Sequence, residues 1–249
     1  MLQKGDFIKI DYTLTVKETG ELIDTTIEEE AKKHNKYEEN RKYTPELIIL
    51  GEGWVPKGLE DALFEMEAGG ERIIELAPEK AFGPRDANKI RTISLRKFKD
   101  RRGLTVGARV EVDGKIGVVK SIGAGRVVID FNPPLSGRTL IYSVKVLEKI
   151  TSDRERVVEL IRKRLPVAKA EDFSVEISEK RVRIRLPEEI FLAEGLQYMK
   201  RALFNDITNH LGGIEEVVFE EVLKTRHPTE QSEQEQTVTQ VAKEELGQP

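Results

Sequence analysis

The sequence predicts an α+β chain built from several small units, and three observations predict it. Short runs with alternating apolar residues recur along the chain, with one brief amphipathic helix among the first of them. The charge changes sign twice. Residues 1–84 carry 11 Lys+Arg against 19 Asp+Glu, residues 85–130 carry 12 against 5, and residues 131–249 carry 18 against 21. Finally, the segment after residue 150 reads in the order α-β-β-α-β.

The 249 residues, 38% of them hydrophobic, suffice for one large domain or two to three small ones. No run approaches the roughly 18 consecutive apolar residues of a membrane span. Met1 to Asp6 lacks an apolar segment of secretory type, so a cytoplasmic location is expected. Cysteine is absent, which excludes disulfides, thiolate metal sites and thiol nucleophiles. His34, His210 and His227 are too scattered for a metal cluster.

In Ile8 to Leu14 apolar residues occupy alternate positions, so Ile8, Ile10, Tyr12 and Leu14 share a strand face. Thr19-Gly20 marks a turn and Leu22-Ile23-Asp24 resumes an extended run. Glu28 to Lys42 is dense in charge and reads as a loop or short exposed helix, and Leu47 to Leu50 as a buried strand. Pro56 suits a first helical turn, where a missing N–H costs nothing. Leu59, Ala62, Leu63 and Met66 then form one helical stripe, which Gly69-Gly70 is expected to end. Arg72 to Leu76 returns to strand.

From Pro84 the character changes. Val110 to Ile116 contains Asp113-Gly114, a pair suited to a tight hairpin turn. Val118-Val119-Lys120 and Val127-Val128-Ile129 flank Gly123-Ala124-Gly125, completing a small β module. Ile141 to Val146 alternates again, and such a strand is able to pair back with the first sheet, making the basic module an insertion. In the last part, Val157, Val158, Leu160, Ile161 and Leu165 mark a helix stopped by Pro166. Val175 to Ile177 and Val182 to Leu186 read as a hairpin. Leu196, Met199, Leu203, Ile207 and Leu211 mark a second helix, and Val217 to Phe219 a final strand. The tail from Arg226 has a composition too polar to fold. The expected divisions are 1–84 with 132–150, an insert at 85–131, an end unit at 151–225 and a tail at 226–249.

Neither glycine cluster, Gly51-Glu52-Gly53 nor Gly123-Ala124-Gly125, has the third glycine of a dinucleotide fingerprint, and both read as turns. No serine has a histidine at a spacing recognisable as a triad.

One run is specific. Leu50-Gly51-Glu52-Gly53-Trp54-Val55-Pro56-Lys57-Gly58-Leu59-Glu60-Asp61-Ala62-Leu63, followed by Ala81-Phe82-Gly83, resembles the FKBP-type peptidyl-prolyl cis-trans isomerases. Tyr12, the Leu22 to Thr26 run, Gly69-Gly70-Glu71-Arg72 and Ile141-Tyr142-Ser143-Val144 fit the same family in order and spacing. The basic module falls where SlyD-like members carry an insert-in-flap domain, and the layout with its α-β-β-α-β end is similar to the long archaeal type.

The resemblance implies a half-open antiparallel sheet around a short helix, with an apolar aromatic pocket between them. It implies Tyr12, Phe82 and Tyr142 as aromatic walls and Asp24 as the polar group near the imide carbonyl. Ile23, Ile48, Trp54, Val55 and Leu59 would line the pocket. Read without it, Tyr12 and Tyr142 are plain core aromatics, Leu59 a stripe residue and Asp24 a turn-former. The implied chemistry requires no cofactor, metal or nucleophile. Asp24→Ala or Tyr142→Ala would then cut activity with little loss of fold. The implied partners are unfolded or nascent proline-containing polypeptides, held in part by the insert through Leu95 and Phe98 beside Arg96, Lys97, Lys99, Arg101 and Arg102. A chain acidic overall, with Phe98 alone among those basic residues, argues against nucleic acid. Pro56 departs from the drug-binding members, where a backbone N–H at that position holds a ligand carbonyl. Proline has none, which implies weak macrolide binding unless Lys57 N–H substitutes. Dimerisation, client contact and passive docking are the roles open to the end unit over Thr151 to Leu223.

Overall fold

The computed structural model describes residues 1–98 and 103–224. It divides into two compact units, residues 1–156 and the chain from Val157 onward.

The first unit begins with β1 (Phe7–Val16), which carries the first sheet. Next come β2 (Leu22–Thr25), the short helix α1 (Glu28–Lys33), β3 (Glu46–Ile49), helix α2 (Lys57–Phe64) and β4 (Glu71–Leu76). Strands β5 (Ile90–Ser94), β6 (Arg109–Val112), β7 (Lys115–Gly123) and β8 (Arg126–Asp130) make a second sheet before β9 (Leu140–Ile150) returns to the first. In the first sheet the order is β2-β1-β9-β4, with β3 also on β1. β1 shares one edge between two partners: Phe7 to Ile10 pair with β3, and Thr13 to Thr15 with β2. Its other edge pairs with β9 from Phe7 to Val16. All these pairings are antiparallel.

Alternation on β1 and β9 sends Ile8, Ile10, Leu14, Leu140, Tyr142, Val144 and Val146 into one core. Leu59 and Leu63 of α2 close that core, 1% and 0% exposed. The helix stops at Phe64, earlier than Gly69-Gly70 suggested, because Glu65 and Met66 close a tighter last turn onto Ala62 and Leu63 carbonyls. Glu60 reaches back from α2, and its Oε1 accepts the Gly51 and Gly53 N–H groups at 2.8 and 3.2 Å. That fixes the loop that delivers Trp54 and Val55. Gly51 and Gly53 have φ of 88° and 66°, a region other residues rarely adopt.

The second sheet has the order β5-β8-β7-β6. Strand β5 has no counterpart in the sequence reading, because Arg91 and Thr92 interrupt its apolar pattern. Asp113 and Gly114 both have positive φ, as do Ala124 and Gly125, so both hairpins turn tightly. Its fully enclosed core is Val119, Val127 and Ile129. Two crossing segments join it to the first sheet and are tied together. Asn132 Oδ1 accepts the Asp86 N–H and its Nδ2 donates to the Asp86 carbonyl, both at 2.9 Å. Arg85 bonds Asp130 at 2.5 Å, and Phe131 N–H donates to the Lys89 carbonyl at 2.9 Å. Burial works against the Asp130 charge, but bonds from Asn132 and Arg85 hold its pKa below the ordinary value.

The second unit contains most of α3 (Asp153–Arg164), then β10 (Ser174–Ser178), β11 (Arg181–Arg185), α4 (Leu196–His210) and β12 (Glu216–Glu220). β10 pairs antiparallel and β12 parallel with β11. The parallel pair requires a crossover, and α4 supplies it. Asp206, 9% exposed, accepts from Nε and Nη2 of Arg164 at 2.5 and 3.2 Å.

Candidate active site

Tyr12 stands opposite Val144, and Tyr142 opposite Leu14. The two tyrosines are therefore diagonal neighbours on the same face of adjacent strands, within reach of aromatic side chains. Their ring centroids lie 5.9 Å apart at 50°, a tilted arrangement favoured by the ring quadrupoles. Ile23, Trp54 and Val55, partly exposed, pack on the same core from β2 and from the loop before α2.

Asp24 is brought to Tyr12 by the β2 register. Tyr12 Oη donates to Asp24 Oδ2 at 2.6 Å, and the Thr25 N–H donates to Oδ1 at 2.9 Å. Arg41 Nη2 completes the set on Oδ1 and also donates to the Thr25 carbonyl at 3.0 Å. The β1–β2 pairing slips between Leu14 and Thr15, so Ile23 is the extra residue of a bulge. Bulges re-aim side chains. Threonines pin the ribbon: Tyr12 N–H donates to Thr26 Oγ1 at 2.9 Å and Thr25 Oγ1 donates to the Tyr12 carbonyl at 2.9 Å.

Electrostatics follow from this arrangement. Burial, then the hydrogen bond to Asp24 and its charge, push the Tyr12 phenol well above its ordinary pKa. Burial, then the charges of Asp24 and Glu46, push Tyr142 up to about 12. Both phenols are neutral donors at neutral pH. That of Tyr12 is committed to Asp24, whereas Tyr142 Oη has no hydrogen-bond partner among the described residues. Burial disfavours the Arg41 charge, but the bond to Asp24 and its charge still raise the pKa.

The sequence reading missed Arg41. It sits in the charged segment expected to be a loop or a short exposed helix, which here forms the helix α1 and a strap after it. Tyr37 and Tyr43 stack at 5.7 Å, Arg41 lies over the Tyr43 ring at 5.2 Å, and Lys32 over Tyr37 at 4.9 Å. The tyrosines flanking Arg41 were the available signal.

Other expected site residues fall differently. Ile48 is completely enclosed, opposite Ile8 in the core, and has no surface to offer a ligand; the expectation that it lines the pocket is corrected. Leu59, at 1%, is enclosed in the same core as Tyr142, with Tyr12 packed against that core, and offers almost no surface to a ligand. Phe82 is 42% exposed and stands outside the packed core. Tyr142 is 5% exposed, so truncating it to alanine opens a cavity; the expectation of little loss of fold is corrected for that variant. Leu95 and Phe98 pack half-buried on the insert's own core. Lys99, Arg101 and Arg102, and the tail from Arg226, lie outside the described residues. Pro56 precedes α2 at its N-cap, and its carbonyl accepts from Leu59 and Glu60 N–H at 2.9 and 3.0 Å.

Three family models match the chain. FKBP-type peptidyl-prolyl cis-trans isomerase matches residues 1–99, FKBP26, IF domain, residues 91–135, and FKBP26_C-terminal residues 153–224. The chain is 34% identical over 160 residues to a short-type peptidyl-prolyl cis-trans isomerase of Methanocaldococcus jannaschii, covering 62% of this chain and 98% of that protein. An FKBP-type 16 kDa peptidyl-prolyl cis-trans isomerase of Escherichia coli is 29% identical over 152 residues, 59% of this chain and 93% of that one. An isomerase of the same type, SlyD of Helicobacter pylori, is 25% identical over 142 residues, 55% of this chain and 69% of that one. On the sheet, the tyrosine–aspartate site and these likenesses together, the chain belongs to the FKBP-type peptidyl-prolyl cis-trans isomerase family.

Proposed function

We propose that this protein isomerises X-Pro bonds of unfolded polypeptides in the pocket formed by Tyr12, Asp24 and Tyr142, and that its insert holds the client chain. The observation that carries the reading is the pairing of a fully engaged tyrosine–aspartate couple with a second, uncommitted phenol 5.9 Å away, measured between ring centroids.

The reaction makes and breaks no covalent bond. Its barrier, about 18–20 kcal/mol, is amide resonance. The planar amide carries charge separation that the twisted transition state loses, so an apolar enclosure disfavours the planar form relative to the twisted one. Tyr12, Tyr142, Ile23, Trp54 and Val55 supply that enclosure for the prolyl ring. Phe82 stands as an outer aromatic wall. Asp24, held on both oxygens, stays fixed as the polar edge beside the imide. Tyr142 Oη donates to a peptide carbonyl and orients it. None of these roles needs a metal or cofactor.

The insert would serve as a client surface through its exposed apolar residues. Val106 is 65%, Ile116 69% and Ile122 39% exposed. They offer more area than half-buried Leu95 and Phe98. Chaperone activity is the consequence of such a surface beside an isomerase pocket.

Exchange NMR on a Leu-Pro tetrapeptide, combined with refolding of a proline-limited protein, tests both parts. The expected result is acceleration of both reactions. Ile116→Ser with Ile122→Ser is expected to slow the refolding several-fold and leave the tetrapeptide rate within about twofold. No acceleration of the tetrapeptide by the folded protein would instead make this a binding module. Equal effects of the double substitution on both substrates would remove the insert from client binding.

A further inference from the structure

Where the insert meets the first sheet there is a cleft of about 520 Å³, separate from the tyrosine pocket. Its half-buried apolar lining comes from Ile23, Phe131 and Leu135, and exposed Ile116 stands with the exposed cations Arg109, Lys120 and Arg138 at its rim. The two carboxylates that line it are spoken for: Asp130 by Arg85 at 2.5 Å and Glu21 by Lys36 at 3.2 Å. The three rim cations are all exposed, and none is in an ion pair with a described carboxylate. The Arg138 charge helps to lower the Glu18 pKa, less than the backbone bond at Thr139 does, without forming an ion pair with it. Some exposed strand cations elsewhere are matched across strands, as Lys17 is with Glu75 and Arg181 with Glu216, whereas here three cations unmatched among the described residues line one concavity. In a chain of net charge −4, this cleft is a concavity of the opposite sign, and low-dielectric walls concentrate such a field.

Resting on the reading above, we propose that the cleft is a subsite for acidic residues of the client chain whose proline occupies the tyrosine pocket. Ile23 makes the connection. As the bulged residue of β2 it packs on the core that holds Tyr142 and also lines the cleft, while the next residue is Asp24. An extended chain leaving the pocket past Ile23 therefore enters the cleft. Cations set around an apolar lining suit carboxylates on a chain with apolar neighbours rather than a small inorganic anion. The volume lies in the range that encloses a ligand of a few residues. The substrate class assigned is a prolyl segment flanked by glutamate or aspartate.

The test uses the full chain and peptides with one X-Pro bond and four further residues on one side of the proline. Those residues are glutamate-, glutamine- or lysine-containing, and a second set places them on the other side. A tetrapeptide is the reference. At about twofold for each exposed ion pair, three pairs give roughly an eightfold preference in kcat/KM for the glutamate peptide over glutamine on one side, expressed in KM. It should shrink in 1 M salt, where the screening length is about 3 Å. The combined variant Arg109→Gln, Lys120→Gln, Arg138→Gln should lose the preference. The charge-matched control Lys180→Gln, Arg181→Gln, Arg183→Gln should keep it. Preference retained by the first variant, preference for lysine, or none at all while the tetrapeptide is accelerated, would overturn the subsite and leave the isomerase standing. Competition by a single-stranded oligonucleotide with steep salt dependence would overturn it in favour of a nucleic-acid site. Failure on the tetrapeptide would remove the isomerase reading and this one together.

Discussion

The first sheet and the inserted sheet of the same unit are built by opposite strategies. The first encloses sixteen core side chains between long strands and α2, and sets its tyrosines where that core reaches the surface. The insert encloses three, Val119, Val127 and Ile129, and leaves Val106, Ile116 and Ile122 in solvent. A deep core immobilises side chains within a close-packed interior, which a pocket complementary to a twisted amide requires. A shallow one fixes only the backbone frame and leaves apolar side chains free to meet varied partners. The Asn132–Asp86 bonds and the Arg85–Asp130 pair let the second strategy stand on the first.

The largest expected effect breaks the comparison on the insert side. Ile129→Ala removes one of three enclosed side chains, and such truncations cost about 2–5 kcal/mol. The loss should exceed what a three-residue core sustains. Limited proteolysis is expected to cut within residues 90–130 while the tetrapeptide rate is preserved. Loss of both together would mean that the two sheets fold as one and the contrast is false.

Next is the site. Asp24→Ala removes the acceptor of Tyr12 Oη and of Arg41, and bonds to a charged group are worth about 1.5–3 kcal/mol. We expect a fall of roughly ten- to a hundredfold in kcat/KM, with most of the thermal stability kept because Asp24 is at the pocket edge. Full activity would remove Asp24 from the mechanism.

The smallest effect sharpens the role of burial. Tyr142 has its folded pKa raised to about 12 from 10.0. Below pH 10 both folded and unfolded chains keep the phenol protonated, and its contribution to stability is fully present. Between about pH 10 and 12 the unfolded chain loses the proton while the folded chain keeps it, so stability falls. Thermal unfolding of Tyr142→Phe should therefore decline less steeply across this window than the parent. Identical slopes would place the ring in water rather than in the core.

Much of the site was legible in the sequence because it lies on elements with strict periods. Alternation put Tyr12 and Tyr142 on apolar faces, and helical spacing put Leu59 and Leu63 on one stripe. Local pattern determined the α-β-β-α-β end and both tight turns of the insert, because a turn needing positive φ is written in the residues at the turn itself. It did not reveal β5, whose exposed Arg91 and Thr92 hide a strand that exists by pairing with β8. Nor did it separate Ile48, sealed against Ile8, from Ile23, turned outward by a bulge. Both are isoleucines in strands, and only the pairing register distinguishes them. Arg41 follows the same logic: its partner Asp24 is seventeen residues away, and an ion pair leaves no period in either segment. The sequence by itself determined which face is apolar along the elements that have a clear period. The tertiary structure decided which of them meet, because strand register, the bulge at Ile23 and the cleft between the two sheets arise from contacts between segments far apart in the chain.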